Sequence, residues 1–203
     1  MAIGCFDCHL FHNIKNGGIV MRLFIAINFK ENEKKQIQNV IREIEKNSIQ
    51  GRFVKNEHMH LTLEFLGEVT EEKVPVIKNA IKQITFEPFT MNLSSLGYFK
   101  RRQGDIYWLG IEHNDTLFEI QARLHDSLIR EGFELENRPY KPHITIGRKV
   151  KMKENFSTDA LSNRISGINI NVDKVDLMKS EFINGKLAHS IIYTYPDIPG
   201  DLY

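Results

Sequence analysis

Apolar and polar positions change period several times along this chain, and each change predicts an element. Arg22 to Phe29 is a short, largely apolar, β-branched run of the kind a central strand carries. From Glu31 to Asn47 the period lengthens. Ile37, Val40, Ile41 and Ile44 recur at helical spacing among charged residues, which predicts an amphipathic helix with a solvated face. Phe53-Val54 predicts an edge strand, and His58 to Phe65 alternates as a further strand ending at Gly67. Thr70-Glu-Glu-Lys predicts a helix start capped by Thr70, leading into Val74 to Ile84. Phe89 to Tyr98 and Ile106 to Ile111 predict two strands joined by the polar turn Lys100 to Asp105. Asn114 to Arg130 predicts a third helix, with Leu117, Ile120, Leu124 and Leu128 on one stripe and Gly132 near its end. A strand from His143 to Gly147 and a short helix from Ser157 to Ile165 follow. Ile168 to Phe182 and Leu187 to Tyr195 then close the chain as a hairpin around Asn184-Gly185.

These proportions predict an α+β fold. Strand, helix and a strand bearing His-x-Thr occur once around His60 and again around His143. The repeat predicts two pseudo-symmetric lobes of antiparallel sheet with outer helices, facing each other across a central cleft to which each lobe gives one His-x-Thr strand.

Composition narrows the function classes. Lys plus Arg number 27 against 26 Asp plus Glu, a net charge of +1, so the molecule as a whole does not attract a polyanion and any nucleic-acid binding needs a local basic patch. No apolar run approaches the roughly 18 to 20 residues of a membrane-spanning helix. Cys5 and Cys8 are the two cysteines of the 203 residues. The rest of the chain therefore has no disulfide, which fits a reducing, cytoplasmic setting.

The first twenty residues read as a separate N-terminal arm, poorly ordered or not native, ahead of a domain over 21–203. Cys5-Phe-Asp-Cys8-His9 matches the C-x-x-C-H haem-attachment pattern, and Cys5, Cys8, His9 and His12 also read as crowded metal ligands. Against the first reading, Met1 to Val20 lacks the basic and apolar regions of a signal peptide. Against the second, the long spacing of a zinc finger is missing. The first strand pattern begins at Met21, and the codons of Gly17-Gly18 can spell a ribosome-binding site just upstream, so Met21 is a candidate native start. A Cys5-containing peptide in the mass spectrum of protein made from its own gene would refute that start.

The chemistry-bearing residues lie on the two repeated strands. In His60-Leu61-Thr62 the histidine and threonine share one face while Leu61 and Leu63 turn to the core. His143-Ile144-Thr145 repeats the arrangement, with Ile144 and Ile146 on the core side. A single His-x-Thr is an ordinary polar strand face; the second copy changes the picture. Histidine titrates near neutrality, so one imidazole can take a proton from water while the other donates to a departing oxygen. Threonine hydroxyls can hold the non-bridging oxygens of a phosphate. That chemistry needs no metal or other cofactor.

Here the chain resembles the 2H phosphoesterases, and within them the RNA 2′,3′-cyclic phosphodiesterase branch, also called the 2′-5′ RNA ligase or LigT/ThpR type. Arg22-Leu-Phe-Ile-Ala-Ile resembles the branch's opening strand, His58 to Val69 its first motif and Arg138 to Arg148 its second, and the likeness runs from Met21 nearly to the end. The resemblance implies His60 and His143 as catalytic residues, Thr62 and Thr145 as phosphate-oxygen donors, and Arg148 as the anchor for phosphate charge. Phe65, at the matching place in the first motif, is not basic. The implied reaction opens a terminal 2′,3′-cyclic phosphate to a 2′-phosphate, with 2′-5′ ligation as a related activity; His143 is assigned as base on water and His60 as acid on O3′.

Around these residues, Lys100, Arg101, Arg102, Arg138, Lys141 and Arg148 form a candidate basic patch, with an exposed hairpin tip as the plainer reading of the first three. Tyr98, Tyr107, Trp108 and Tyr140 are candidate stacking rings, of which alternation lets at most one of Tyr107 and Trp108 face a ligand. His58 reads as a cleft-rim residue, and Ser180 and His189 as a polar strand face. The partner expected is RNA with a cyclic-phosphate end, bound by a monomer with no protein or membrane partner. The alternatives are a 2′,5′-oligonucleotide phosphodiesterase, a non-catalytic RNA-binding domain and a histidine metallohydrolase, separated by product analysis and by sensitivity to a chelator.

Overall fold

The computed structural model describes residues 19–196 other than 155 and 158. Cys5, Cys8, His9 and His12 lie outside the described residues, as do nearly all of the arm and the proposed start signal at Gly17-Gly18. The architecture is α+β, with nine strands in two antiparallel sheets among the described residues. The strands are β1 (Val20–Asn28), β2 (Ser48–Phe53), β3 (His60–Thr70), β4 (Phe89–Phe99), β5 (Asp105–Ile111), β6 (His143–Met152), β7 (Asn169–Val172), β8 (Val175–Ile183) and β9 (Lys186–Tyr195). The helices are α1 (Glu31–Lys46), α2 (Val74–Lys82), α3 (Asp115–Arg130) and α4 (Asp159–Ser166). None of these helices is long and apolar enough to cross a membrane.

One sheet has the order β3-β1-β8-β9 and the other β2-β6-β5-β4-β7. Each sheet holds one of the two histidine strands. The lobes are not the two halves of the sequence, however. β2, from the first half, crosses to pair with β6, while β8 and β9 return from the far end of the chain to complete the sheet of β1 and β3. Ile168 to Phe182, expected as one strand, is broken at Asp173-Lys174, and its pieces go to different sheets, β7 beside β4 and β8 beside β1. A run that changes partner sheet must leave one ladder before joining the next.

The helical stripes pack as their spacing requires. Ile37, Val40, Ile41 and Ile44 on α1 and Leu117, Ile120, Leu124 and Leu128 on α3 are buried in one core with Leu23, Ile25, Ile27, Leu61 and Leu63, α1 lying against β2 and β6 and α3 against β3. Asn114 caps α3, its side-chain oxygen accepting from the Leu117 N–H at 3.0 Å. Thr70 precedes a 3-10 turn, Glu71–Lys73, and its side chain makes no capping bond. Val20, placed in the arm by the sequence, begins β1 opposite Thr70. β3 runs on through Gly67, whose positive φ of 70° sits where the ladder with β1 slips register.

Candidate active site

Both His-x-Thr motifs open their strands. His60 and Thr62 are half-buried on β3 while Leu61 and Leu63 are buried, and His143 and Thr145 are half-buried on β6 while Ile144 and Ile146 are buried. Strand alternation therefore turns both pairs away from the apolar core. His60 lies opposite Asn28 and Thr62 opposite Ala26 on β1; His143 lies opposite Gly110 and Thr145 opposite Trp108 on β5.

Two observations bring the strands together. The Tyr140 hydroxyl, just upstream of His143, donates to the Thr62 carbonyl at 3.0 Å. The positive charge of Arg148, on β6, acts on His60, on β3. The two motifs and Arg148 thus belong to one cleft between the sheets.

The histidines are held alike. His143 Nδ1 lies 2.8 Å from the Lys141 carbonyl. A carbonyl only accepts, so Nδ1 carries the proton and Nε2 keeps its lone pair when the ring is neutral. His60 likewise makes a backbone hydrogen bond with His58, at the same two-residue offset. Burial nevertheless pushes the His60 pKa down to about 4, helped by the neighbouring His189, His58 and Arg148 charges and opposed by the His58 backbone bond. The His60 ring lies 4.9 Å from Phe24 and 5.4 Å from His189, centroid to centroid.

The opposite wall is aromatic. Phe99 lies 5.6 Å and Trp108 6.2 Å from the His143 ring, and their own rings are 5.5 Å apart. Trp108 lies flat over Gly97, where an added Cβ would come within 2.2 Å of the indole. Of the other candidate stacking rings, Tyr107 is buried beneath Tyr98 at 5.4 Å. Tyr140 is committed to Thr62 instead of to a base. Its phenol is raised above the usual tyrosine range, first by burial and then by the charge of Glu64.

Arg148 is exposed by area, yet the residues around its guanidinium lower its pKa by desolvation. Of the wider basic patch, Lys100, Arg101 and Arg102 form the exposed β4–β5 turn, where the Arg101 N–H donates to Asp105 at 3.0 Å. Gly104 in that turn packs against the Lys149 backbone so closely that a Cβ would meet it at 2.7 Å. Arg138 is paired with Glu136 at 2.7 Å.

Several site residues were not singled out by sequence reasoning. Glu64 is buried at 8% exposure and accepts from Gln121 at 3.2 Å, with His125 Nδ1 at 2.8 Å. Asp176, fully buried, accepts from Asn28 at 2.8 Å and from Thr194 at 2.6 Å, fixing β1, β8 and β9 beneath the cleft. His58 and His189, read as rim and strand face, meet at 4.9 Å beside His60. Among the described residues no three His, Cys, Asp or Glu side chains converge as a metal-ligand set.

The family model described as LigT like phosphoesterase matches residues 27–107 and 109–188, taking in both motifs. The RNA 2′,3′-cyclic phosphodiesterase of Thermotoga maritima is 40% identical over 131 residues, 63% of this chain and 70% of the relative. That of Methanothermobacter thermautotrophicus is 28% identical over 167 residues, 79% of this chain and 90% of the relative. Among solved structures, Escherichia coli LigT in apo form matches with a TM-score of 0.73 and 26% identity over 87% of this chain and 96% of that one. The same protein complexed with 3′-AMP matches at 0.71 and 25% over the same shares. With both motif strands inside the matched segments, the chain belongs to the LigT-like phosphoesterases of the 2H superfamily.

Proposed function

We propose that this protein is an RNA 2′,3′-cyclic phosphodiesterase, opening a terminal cyclic phosphate to a 2′-phosphomonoester with His60 and His143 as its acid–base pair. The observation that carries the reading is the placement of one His-x-Thr strand from each sheet in a single cleft, tied by Tyr140 and bridged electrostatically by Arg148. The names of the curated relatives support the substrate class.

In this reading the Nε2 lone pair of His143 takes a proton from water as its oxygen attacks phosphorus. The bond from phosphorus to O3′ breaks, and His60 gives its proton to O3′. Thr62 and Thr145 hydroxyls donate to the non-bridging oxygens and Arg148 holds their charge. In the free protein His60 is neutral near pH 7. The anionic phosphate supplies the opposite charge that favours its protonated form, so His60 becomes an acid with substrate in place. Ligation through a 2′,5′ linkage follows the same course with a 5′-hydroxyl in place of water: His143 takes its proton as O5′ attacks phosphorus, and His60 gives its proton to O3′ as the P–O3′ bond breaks. The histidines exchange roles only when that linkage is cleaved back to the cyclic phosphate.

The test is incubation, with EDTA present, of the wild type, His60→Ala and His143→Ala with a short RNA ending in a 2′,3′-cyclic phosphate. Conversion to a 2′-phosphate end by the wild type, reduced on the order of 10² to 10⁴ in either variant, is the expected result. No turnover by the wild type overturns the reading, and turnover abolished by the chelator overturns its metal-free mechanism.

A further inference from the structure

The floor of the β3-β1-β8-β9 sheet carries groups that this reaction leaves unused. Cross-strand register puts Arg22, Ser180 and His189 in one row over β1, β8 and β9. His189 ends the row against the catalytic machinery. Its ring lies 5.4 Å from His60, 5.2 Å from Phe24 and, edge-on, 4.9 Å from His58.

Across the sheet that row reads Glu68, Arg22, Ser180 and His189, so the guanidinium stands next to a carboxylate on β3 and the end of the row at His60 offers a hydroxyl and an imidazole. Nδ1 of His58 and Nδ1 of His189 are both buried without a hydrogen-bond partner. A buried N–H without an acceptor is rarer and costlier than an unpaired acceptor, so each ring carries its proton on Nε2 and offers that N–H as a donor. Burial, with the charges of His58 and Arg22, pushes the His189 pKa down to about 4 and keeps it a neutral donor. Neutral N–H and O–H donors suit a singly charged phosphodiester.

We propose that His189, with His58 and Ser180, forms a second phosphate subsite, which takes the phosphodiester on the 5′ side of the nucleotide whose cyclic phosphate lies at His60. The inference rests on the phosphodiesterase reading and deepens it. Arg148 serves the reacting phosphate from the other sheet, while the His189 row lies one ring away from His60 on its own sheet, where the next phosphate of the same chain would lie. A free nucleoside cyclic phosphate leaves this subsite empty, so the protein selects the end of a polynucleotide over a mononucleotide.

The experiment compares kcat/KM on cytidine 2′,3′-cyclic phosphate with that on its 5′-methylphosphate diester, for the wild type, His189→Ala and Ser180→Ala. The ratio of the two cancels any difference in folded fraction. The wild type is expected to prefer the diester by on the order of tenfold, and His189→Ala to bring the ratio toward one, with Ser180→Ala in between. A wild type that treats the two alike, or a His189→Ala variant that keeps the full preference, overturns the subsite and leaves the phosphodiesterase reading standing. A wild type inert on both overturns the phosphodiesterase reading and the subsite with it.

Discussion

The Tyr140 hydroxyl donates to the Thr62 carbonyl at 3.0 Å, joining the segment that leads into His143 to the strand that carries His60. The two histidine strands belong to different sheets, so no ladder fixes one relative to the other. This half-buried bond supplies part of that constraint, and the Phe118 ring, edge-on to Tyr140 at 5.8 Å, holds the phenol in place.

Tyr140→Phe keeps the ring and deletes the bond. Leaving the Thr62 carbonyl without this donor costs about 1 kcal/mol, or a fall of about 2–4 °C in Tm for a domain of this size. The spacing of the two histidines loosens as well, so kcat is expected to fall on the order of tenfold. Thermal unfolding and turnover measured together check this. Full activity at lowered Tm would mean that the bond serves stability alone.

The neutral histidines predict how stability responds to acid. In the unfolded chain His60 takes its proton near its ordinary value of 6.5, whereas in the folded protein it does so only at about 4. Between those values the unfolded state binds more protons. The stability present above about pH 6.5 is therefore lost as pH falls toward 4, and for His60 the loss is on the order of 3 kcal/mol. His189, which is more exposed, contributes in the same direction. Urea denaturation across this range, with imidazole titration by NMR, tests the point; a His60 titrating near 6.5 would remove it.

Trp108 is the single tryptophan of the chain and stands 6.2 Å from His143, so its fluorescence reports on the cleft. A 2′-phosphate nucleotide product is expected to change that emission saturably in the wild type. In Gly97→Ala the new methyl displaces the indole, which shifts the emission of the free protein and weakens the response. An emission insensitive to product would place the ligand away from this wall.

The sequence made the two His-x-Thr strands and the stripes of α1 and α3 legible, because period and burial agree there: Leu61 and Ile144 are buried beside half-buried His60 and His143. It could not show that Ile168 to Phe182 divides between two sheets, since an apolar β-branched run reads the same whichever ladder it joins. Nor could it show His189 against His60, more than a hundred residues apart in sequence and brought together by β8 and β9 returning to β1. Glu64 was hidden for another reason: the slip in the β1–β3 ladder beside it buries a carboxylate where simple alternation expects a polar face.

Arg148 separates charge from geometry. Its positive charge lowers the His60 pKa, so Arg148→Ala should let His60 titrate at higher pH, while Arg148→Lys, which keeps the charge, should leave that titration near the wild-type value. Binding of the reacting phosphate should respond differently. The guanidinium can grip two oxygens at once and an ammonium cannot, so Arg148→Ala is expected to lose on the order of 10- to 100-fold in kcat/KM and Arg148→Lys to recover only part of it. NMR titration of His60 and steady-state kinetics on a cyclic-phosphate RNA, read on both variants, give the two answers independently. A lysine variant with wild-type kinetics would reduce Arg148 to a point charge. A His60 titration unmoved in the alanine variant would separate Arg148 from His60 and weaken the case that the two sheets share one site.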